Sequence, residues 1–385
     1  MNSEHDYLDH NATTPLDEHV LEAMMPYLHG RFGNPSSVHR YGRQTRRALD
    51  LAREQVAAAV GVQAAQVVFT SGGTEANNLA IKGLTEHTAP GHIVIGATEH
   101  ASITESAESL RHSGWALDYL SADDTGRLCL EMLPDLLTKD TRLVSVMMAN
   151  NETGVITDVA ALRDMLPERV AVHTDAVQAF GKIPVDFQAT KTEMMSLSAH
   201  KINGPAGAGA LIIDKRLSLR PLLHGGGHEY GLRAGTENIA AIVGFGKAAE
   251  MQSQQVDGQQ QATLMALRQQ LEQQLISVVP GLVIFGGEQQ RLANTVFFAV
   301  PMIDGEALVM ALDEDGFSVA SGSACSSRDH EPSHVLTAMG VDENLARCAI
   351  RVSLGKGNDK HVIKRFVDSL IFQVEKLNNM AVLAW

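Results

Sequence analysis

The sequence predicts an α/β protein: a mostly parallel sheet in a large domain, followed by a smaller α+β domain. Two observations carry this. Six short apolar runs alternate with helical patterns through the middle of the chain, and the later part reads strand–strand–helix. The six runs are "QVVFT" (66–70), "HIVIGA" (92–97), "RLVSVMMAN" (142–150), "RVAVHTDA" (169–176), "EMMSLSAH" (193–200) and "GALIID" (209–214). They are continuous rather than alternating, which fits strands covered on both faces by helices in βαβ units. The segment 246–276 is polar and Gln-rich, with Leu and Met at helical spacing. It predicts a long, partly exposed helix that Gly258 interrupts. After it come "LVIFGG", "NTVFFAV" and "EALVMALDEDG". The boundary falls near 247–260, giving a large domain over 16–250 and a small one over 251–385. Residues 1–15 are assigned to the small domain, an assignment that the periodicity itself does not carry.

Composition excludes several classes. The chain has 385 residues, 44% hydrophobic and 20% charged, as a soluble globular protein does. A formal net charge of −14 disfavours a nucleic-acid backbone as direct partner, because phosphate tracking needs a basic face. No apolar run is long enough to span a bilayer. The start, "MNSEHDYLDHNATTP", lacks an apolar signal core. The three cysteines, Cys129, Cys325 and Cys348, are too few and too far apart for a disulfide framework and read as reduced thiols. A cytoplasmic location follows as the expectation. "EHDYLDH" and "HGGGHE" concentrate histidine and acid without a helical ligand pair such as HExxH, so no resident metal is expected.

Four stretches carry chemistry. In "VVFTSGGTEANNLAIKGL" (67–84) a strand ends at Thr70, and a helix is expected to begin near Glu75. Helix N-termini offer free N–H groups to phosphate, Gly72 and Gly73 allow close approach, and Thr74 adds a hydroxyl. An ordinary βα turn capped by Thr74 reads equally well. In "VAVHTDAVQAFGK" (170–182), Asp175 ends an apolar strand, where open α/β sheets bind ligands, and Gln178 follows three residues on. A protonated ring nitrogen would pair with that carboxylate; capping a following helix is the simpler alternative. In "MMSLSAHKINGPAGAGALII" (194–213), Lys201 follows a strand and a Ser-Ala-His turn. Partial desolvation makes a lysine a Schiff-base candidate, and Ser198 and His200 stand near as phosphate donors. A solvated lysine in a Gly-rich hairpin is the alternative. In "GATEHASI" (96–103), His100 could stack on a ring or shuttle a proton, although a lone histidine is more often a satisfied polar residue. Together the four supply phosphate donors, a ring-face contact, a carboxylate and an amine. Pyridoxal phosphate asks for this set.

The sequence resembles the NifS/IscS-like cysteine desulfurases, in the class V branch of the aspartate-aminotransferase-like fold (fold type I of the pyridoxal-phosphate enzymes). The resemblance runs along nearly the whole chain, through "YLDHNATTP", "FGNPSSVHRYG", "NNETGVI", "HTDAVQ", "SLSAHKINGPAGAGAL", "HGGGHEYGLRAGTEN", "SGSACSS" and "EPSHVLTAMG". It implies a homodimer that binds pyridoxal 5'-phosphate and takes sulfur from L-cysteine, leaving L-alanine. Lys201 would hold the cofactor and move the α-proton. Asp175 would pair with the ring nitrogen, Gln178 with the phenolic oxygen, and His100 would stack on the ring and take part in proton transfer. Gly73, Thr74, Ser198 and His200 would hold the phosphate, and Thr236 would reach the phosphate of the partner subunit. Asn151 would contact cofactor and substrate, and Arg351 would clamp the substrate carboxylate. Cys325 would become the persulfide, pass its sulfur to acceptor proteins such as those of iron–sulfur assembly or tRNA thiolation, and could transiently ligate an acceptor cluster. Departures from the pattern are Ala199 where many relatives have Gly, Gly73 where many have Ala, and Tyr230 where Arg is common. The end "EKLNNMAVLAW" lacks the longer tail with which some relatives dock an iron–sulfur scaffold.

The small residues of "ASGSACSS" (320–327) predict a mobile sulfur carrier anchored by the strand "GFSVA". Cys129 and Cys348, set among Leu, Ala and Ile, are expected to be buried as small hydrophobes. Two alternatives stay open at this stage: a selenocysteine lyase or another class V enzyme, and a non-catalytic regulator or metal-binding scaffold that keeps the fold.

Overall fold

The computed structural model describes residues 5–86, 88–255, 258–322 and 331–383. Its thirteen strands are β1 (Asp6–Tyr7), β2 (Val67–Thr70), β3 (His92–Gly96), β4 (Ala116–Leu120), β5 (Thr141–Met147), β6 (Ala171–Asp175), β7 (Met194–Ser198), β8 (Gly209–Ile213), β9 (Val283–Phe285), β10 (Thr295–Ala299), β11 (Phe317–Ser318), β12 (Ala320–Ser321) and β13 (Ala349–Ser353). A seven-stranded sheet runs β2-β8-β7-β6-β5-β3-β4. All its pairs are parallel except those of β8, which is antiparallel to both β2 and β7.

Strand periodicity explains how both faces are filled. Val67 and Phe69 point to one core and Val68 to another; Val94 separates from Ile93 and Ile95 in the same way, as do Met195 and Leu197 from Met194. The first core is closed by the helices Glu18–His29, Arg40–Ala59 and Ile239–Gln255, the second by Gly73–Thr85 and Ala101–Arg111. A four-stranded antiparallel sheet, β12-β13-β10-β9, repeats the device: Val296 and Phe298 face one cluster, Phe297 and Ala299 the other. The N-terminal arm runs beside this smaller sheet: β1 pairs in parallel with β11 as a separate two-stranded sheet, and Asp9 bridges to Ser353 of β13.

Some expectations needed revision. The run "GFSVA" is not one strand: Val319 separates β11, which pairs with β1, from β12, which pairs with β13. The Gln-rich region forms two helices, Ile239–Gln255 and Gly258–Val278, with Gly258 at the start of the second. No helix follows Asp175 directly; a turn does, and its Oδ1 accepts from Val177 N at 2.9 Å. Cys348 is buried, but Cys129 is only half-buried, because its neighbour Leu128 is the residue turned into the core. Among the described residues no helix is long and apolar enough to cross a membrane, and no group of three or more potential ligands could hold a metal ion.

One buried ion pair fastens a long loop to the large sheet. Arg53 donates through both terminal nitrogens to Glu229 at 2.6 Å, and through one of them to Val67 O at 2.6 Å. Glu229 also accepts from Phe69 N at 2.8 Å. The guanidinium lies 4.8 Å from the Phe69 ring centroid and 5.2 Å from that of Tyr230. Glu229 and Tyr230 both adopt positive φ (47° and 58°), a conformation that side chains disfavour, so this pair holds a locally strained turn. The Arg53→Met variant leaves a buried carboxylate without its cation. Urea denaturation is expected to show a loss of about 3–5 kcal/mol, and a loss below about 1 kcal/mol would contradict the anchoring role.

Candidate active site

The loops after β3, β5, β6 and β7, and the turn after β2, open on the same edge of the large sheet, where α/β folds place ligands. A cavity of about 360 Å³ lies there. Gly73, Thr74, His100, Asn151, Asp175, Gln178, Ser198, His200, Lys201 and Arg351 all line it, so ten residues singled out from the sequence converge. Thr236 does not line it and is exposed in this chain. Cys325, and with it the expected mobility of its segment, lies outside the described residues.

At one end, the helix Gly73–Thr85 starts two residues earlier than expected, with Gly72 at its N-cap. Thr74 is therefore inside the first turn and is not the cap. Small residues are required here. A Cβ on Gly73 would come within 2.8 Å of Val177 Cγ2, and one on Gly209 within 2.6 Å of the Gly72 backbone. The Ser198 hydroxyl, at the end of β7, is buried and has no partner.

Along one wall a hydrogen-bonded chain joins Asp175 to His100. Asn77 Nδ2 donates to Asp175 Oδ2 at 2.7 Å and to Ser102 Oγ at 2.8 Å. Ser102 Oγ lies 2.8 Å from His100 Nδ1, which also accepts from Ser102 N at 3.1 Å. A backbone N–H can only donate, so Nδ1 is the acceptor, and a neutral His100 carries its proton on Nε2. Burial pushes the His100 pKa down; Asp175 opposes this, while Lys201 and His334 reinforce it.

The opposite side is built from lysines and amides. Lys201 ends a 3₁₀ turn, Ala199–Lys201, and its Nζ donates to Asn11 O and, at 2.7 Å, to Ala12 O. Gln178 Nε2 donates to Asn11 O at 2.9 Å. Arg351, on β13, donates to Asp9 Oδ1 at 2.7 Å and to Asn151 O at 3.1 Å, and its Nε is buried without a partner. Behind the cavity, Glu99 accepts from Met147 N at 2.6 Å; burial drives its pKa well above the usual carboxylate range, and Asp175 adds to the rise. Burial also raises Glu152, which bonds Ser333, while His334 Nε2 meets Glu99 O at 2.7 Å. These two contacts fix the chain directly after the undescribed residues 323–330.

Four buried polar atoms on this cavity lack partners: Asn77 Oδ1, Asn151 Oδ1, Ser198 Oγ and Arg351 Nε. Orphaned groups are costly in a protein interior, so the cavity is built for a polar ligand. Comparison with known proteins agrees with such a site. The aminotransferase class-V family model matches residues 6–366.

The chain belongs to the aminotransferase class-V family.

Within that family, cysteine desulfurase IscS of Dictyoglomus turgidum is 41% identical over 378 residues, covering 97% of this chain and 96% of its own. A putative cysteine desulfurase IscS 1 of Bacillus subtilis is 39% identical, with 96% and 99% covered. A solved NifS-like protein superposes with a TM-score of 0.91 at 35% identity, covering 97% of this chain and all of its own. A structure described as SspA in complex with cysteine gives 0.79 at 33% identity, with 90% and 98% covered. The α/β fold and the family resemblance read from the sequence both hold.

Sequence reading missed Asn11, Asn77, Ser102 and Lys182. Asn77 follows Thr74 by three residues, close to one helical turn, and Lys182 follows Gln178 by four, so both spacings offered a signal. Asn11 gave none, since its partners are distant in the chain. Three histidines at or behind the site are held neutral chiefly by burial: His10 and His200 with pKa values of about 4, and His173, between Ser145 and Ser196, at about 3. The unfolded chain takes up these protons near pH 6.5 and the folded chain only at lower pH. Stability is therefore expected to fall as pH drops from about 6.5 toward 4. His173→Asn should reduce the slope of unfolding free energy against pH by about one proton, or about 1.4 kcal/mol per pH unit. An unchanged slope would contradict the assignment.

Proposed function

We propose that this chain is a pyridoxal-phosphate-dependent L-cysteine desulfurase that carries the removed sulfur as a persulfide on Cys325. One observation carries the reading: in a chain of this family, the Lys201 amine, a buried Asp175 carboxylate and several partnerless polar atoms line a single cavity. Pyridoxal phosphate fits that donor set. Gly73, Thr74, Ser198 and His200 would hold its phosphate, with Thr236 supplied by the partner subunit. Asp175 would hold the proton of the ring nitrogen, Gln178 would donate to the phenolic oxygen, and His100 would cover the ring. When bound, the cofactor supplies an electron sink conjugated to the substrate α-carbon.

The protein's own groups do the rest. Lys201 would hold the cofactor, then remove and return the α-proton. Arg351 would bind the substrate carboxylate through its unpartnered Nε and its fork, with Asp9 and the Asn151 carbonyl fixing the guanidinium plane. Asn151 Oδ1 would accept from the bound substrate. Because His100 Nδ1 is occupied, Nε2 is the atom through which that ring exchanges a proton. The Cys325 thiolate would attack the substrate sulfur: the substrate C–S bond breaks, an S–S bond forms on Cys325, and the substrate carbon takes a proton to give L-alanine. The products balance as L-alanine plus enzyme persulfide.

A homodimer is part of this proposal. Leu21, Met25, Leu28 and Phe32 leave an apolar surface exposed on the single chain, and exposed Thr236 requires a partner to meet a phosphate. We place the enzyme in the cytoplasm, passing sulfur to acceptor proteins such as those of iron–sulfur assembly or tRNA thiolation.

The test is direct. Purified protein reconstituted with pyridoxal phosphate is expected to be yellow and to release alanine from L-cysteine. Lys201→Ala should lose the visible band. Cys325→Ala should keep the band but lose persulfide and at least about 99% of alanine release, a drop of the size expected when a covalent nucleophile is removed. A protein that stays colourless with added cofactor would overturn the reading. Equal alanine release by Cys325→Ala and wild type would overturn the role of Cys325, and selenocysteine turned over by both would redirect the activity to a lyase.

A further inference from the structure

Lys182 stands directly behind the cavity. The turn after β6 places it there: Gly181, at φ 77°, packs so closely on Ile202 that a Cβ would lie 2.6 Å from Ile202 Cγ2. The residue is thereby seated beside the neighbour of Lys201. Its Nζ donates to Gln178 Oε1 at 2.6 Å and to Asn11 Oδ1 at 2.7 Å. Both partners are neutral amide oxygens. The charged groups around it are Lys201 and Arg351, with Asp9 engaged by Arg351 and His10 neutral. Burial, reinforced by Lys201 and Arg351, lowers its pKa well below the usual lysine value. A lysine in that setting is costly unless its donors perform a task.

The task is legible in donor and acceptor types. An amine head turned to an amide with its N–H groups meets only the carbonyl end, and a backbone carbonyl can meet only the NH2 end. Lys182 holds Gln178 Oε1 while Asn11 O holds Gln178 Nε2. The two constraints agree, so a glutamine that could otherwise turn over has one orientation. The second N–H of Nε2 remains for the cavity that Gln178 lines. We propose that Lys182 is a positioning residue, which fixes the Gln178 amide so that its NH2 end serves the ligand of the cavity.

This inference rests on the reading that the cavity takes pyridoxal phosphate, and the test separates the two. Apoprotein is prepared for wild type, Lys182→Met and Lys182→Arg, each with Gln178 intact and with Gln178→Leu. Affinity for pyridoxal phosphate is measured by equilibrium titration, and the pH midpoint of the visible band is then recorded. With Gln178 intact, Lys182→Met is expected to weaken binding about tenfold, as for one misplaced hydrogen bond, and to raise the midpoint. Lys182→Arg, which also only donates, should stay within about twofold of wild type. With Gln178→Leu present, Lys182→Met should add less than about twofold, because the group it positions is gone. Unchanged affinity and midpoint in Lys182→Met would overturn the inference alone. Equal effects with and without Gln178 would overturn it too, since Lys182 would then act by its charge. Failure of wild-type apoprotein to bind pyridoxal phosphate would remove the cofactor reading and this inference with it. Should Lys182→Met not melt cooperatively, Lys182→Gln replaces it and is read in the same way.

Discussion

Asn11 lies where the N-terminal arm, both sheets and the catalytic edge meet, and every polar atom it has is engaged. Its N–H donates to Ser353 Oγ, and its side-chain nitrogen to Asn151 O and Thr295 Oγ1. Its side-chain oxygen accepts from Lys182 and Asn294, and its backbone oxygen from Gln178 and Lys201. These partners come from β10, β13 and the loops after β5, β6 and β7. One buried residue therefore sets the distance between the smaller sheet, which carries Arg351, and the larger one, which carries Asp175 and Lys201. A buried amide of this kind tolerates one arrangement, because any displaced partner leaves an orphan.

The same constraint accounts for the division of labour around the cavity. Groups that must not move are tied twice: Asp175 by Asn77 and Val177, His100 by both donors of Ser102, Gln178 by Lys182 and Asn11. Three of the four groups left with an unmatched atom, Ser198, Asn151 and Arg351, are proposed to touch phosphate or substrate; the fourth, Asn77, ties Asp175 to Ser102. Rigid placement of some groups and open valence on others is the arrangement that preorganised sites need, since ordering before binding avoids reordering during the reaction.

The glycine-rich stretches divide in a similar way. Gly209 has no space for a side chain, because a Cβ there would meet the Gly72 backbone, whereas a Cβ on Gly73 would press only on the Val177 side chain. Gly225 and Gly227 stand in the exposed loop that Arg53 and Glu229 anchor at its far end. Within the glycine-rich "HGGGHEYGLRAGTEN", Glu229 is firmly held, by both terminal nitrogens of Arg53 and by Phe69 N. Tyr230 lies over the Arg53 guanidinium, so the ring and the cation hold each other at the anchored end of the loop.

The local pattern alone determined six of the seven strands of the large sheet, all but β4, and the chain order of His100, Asp175, Ser198 and Lys201 at strand ends. Those features depend on neighbours in sequence: continuous apolar runs need two covered faces, and a polar residue just past a strand lies at the sheet edge. Only the tertiary structure decided that "GFSVA" splits between two sheets, that Cys129 turns away from the core, and that Asn11, Asn77, Ser102 and Lys182 belong to the site. The split strand and the four polar residues each rest on a partner far along the chain, such as Asn11 with Lys201 or Asn77 with Asp175. A hydrogen bond across such a separation leaves no periodicity to read; it exists only once the packed sheets have brought donor and acceptor within reach.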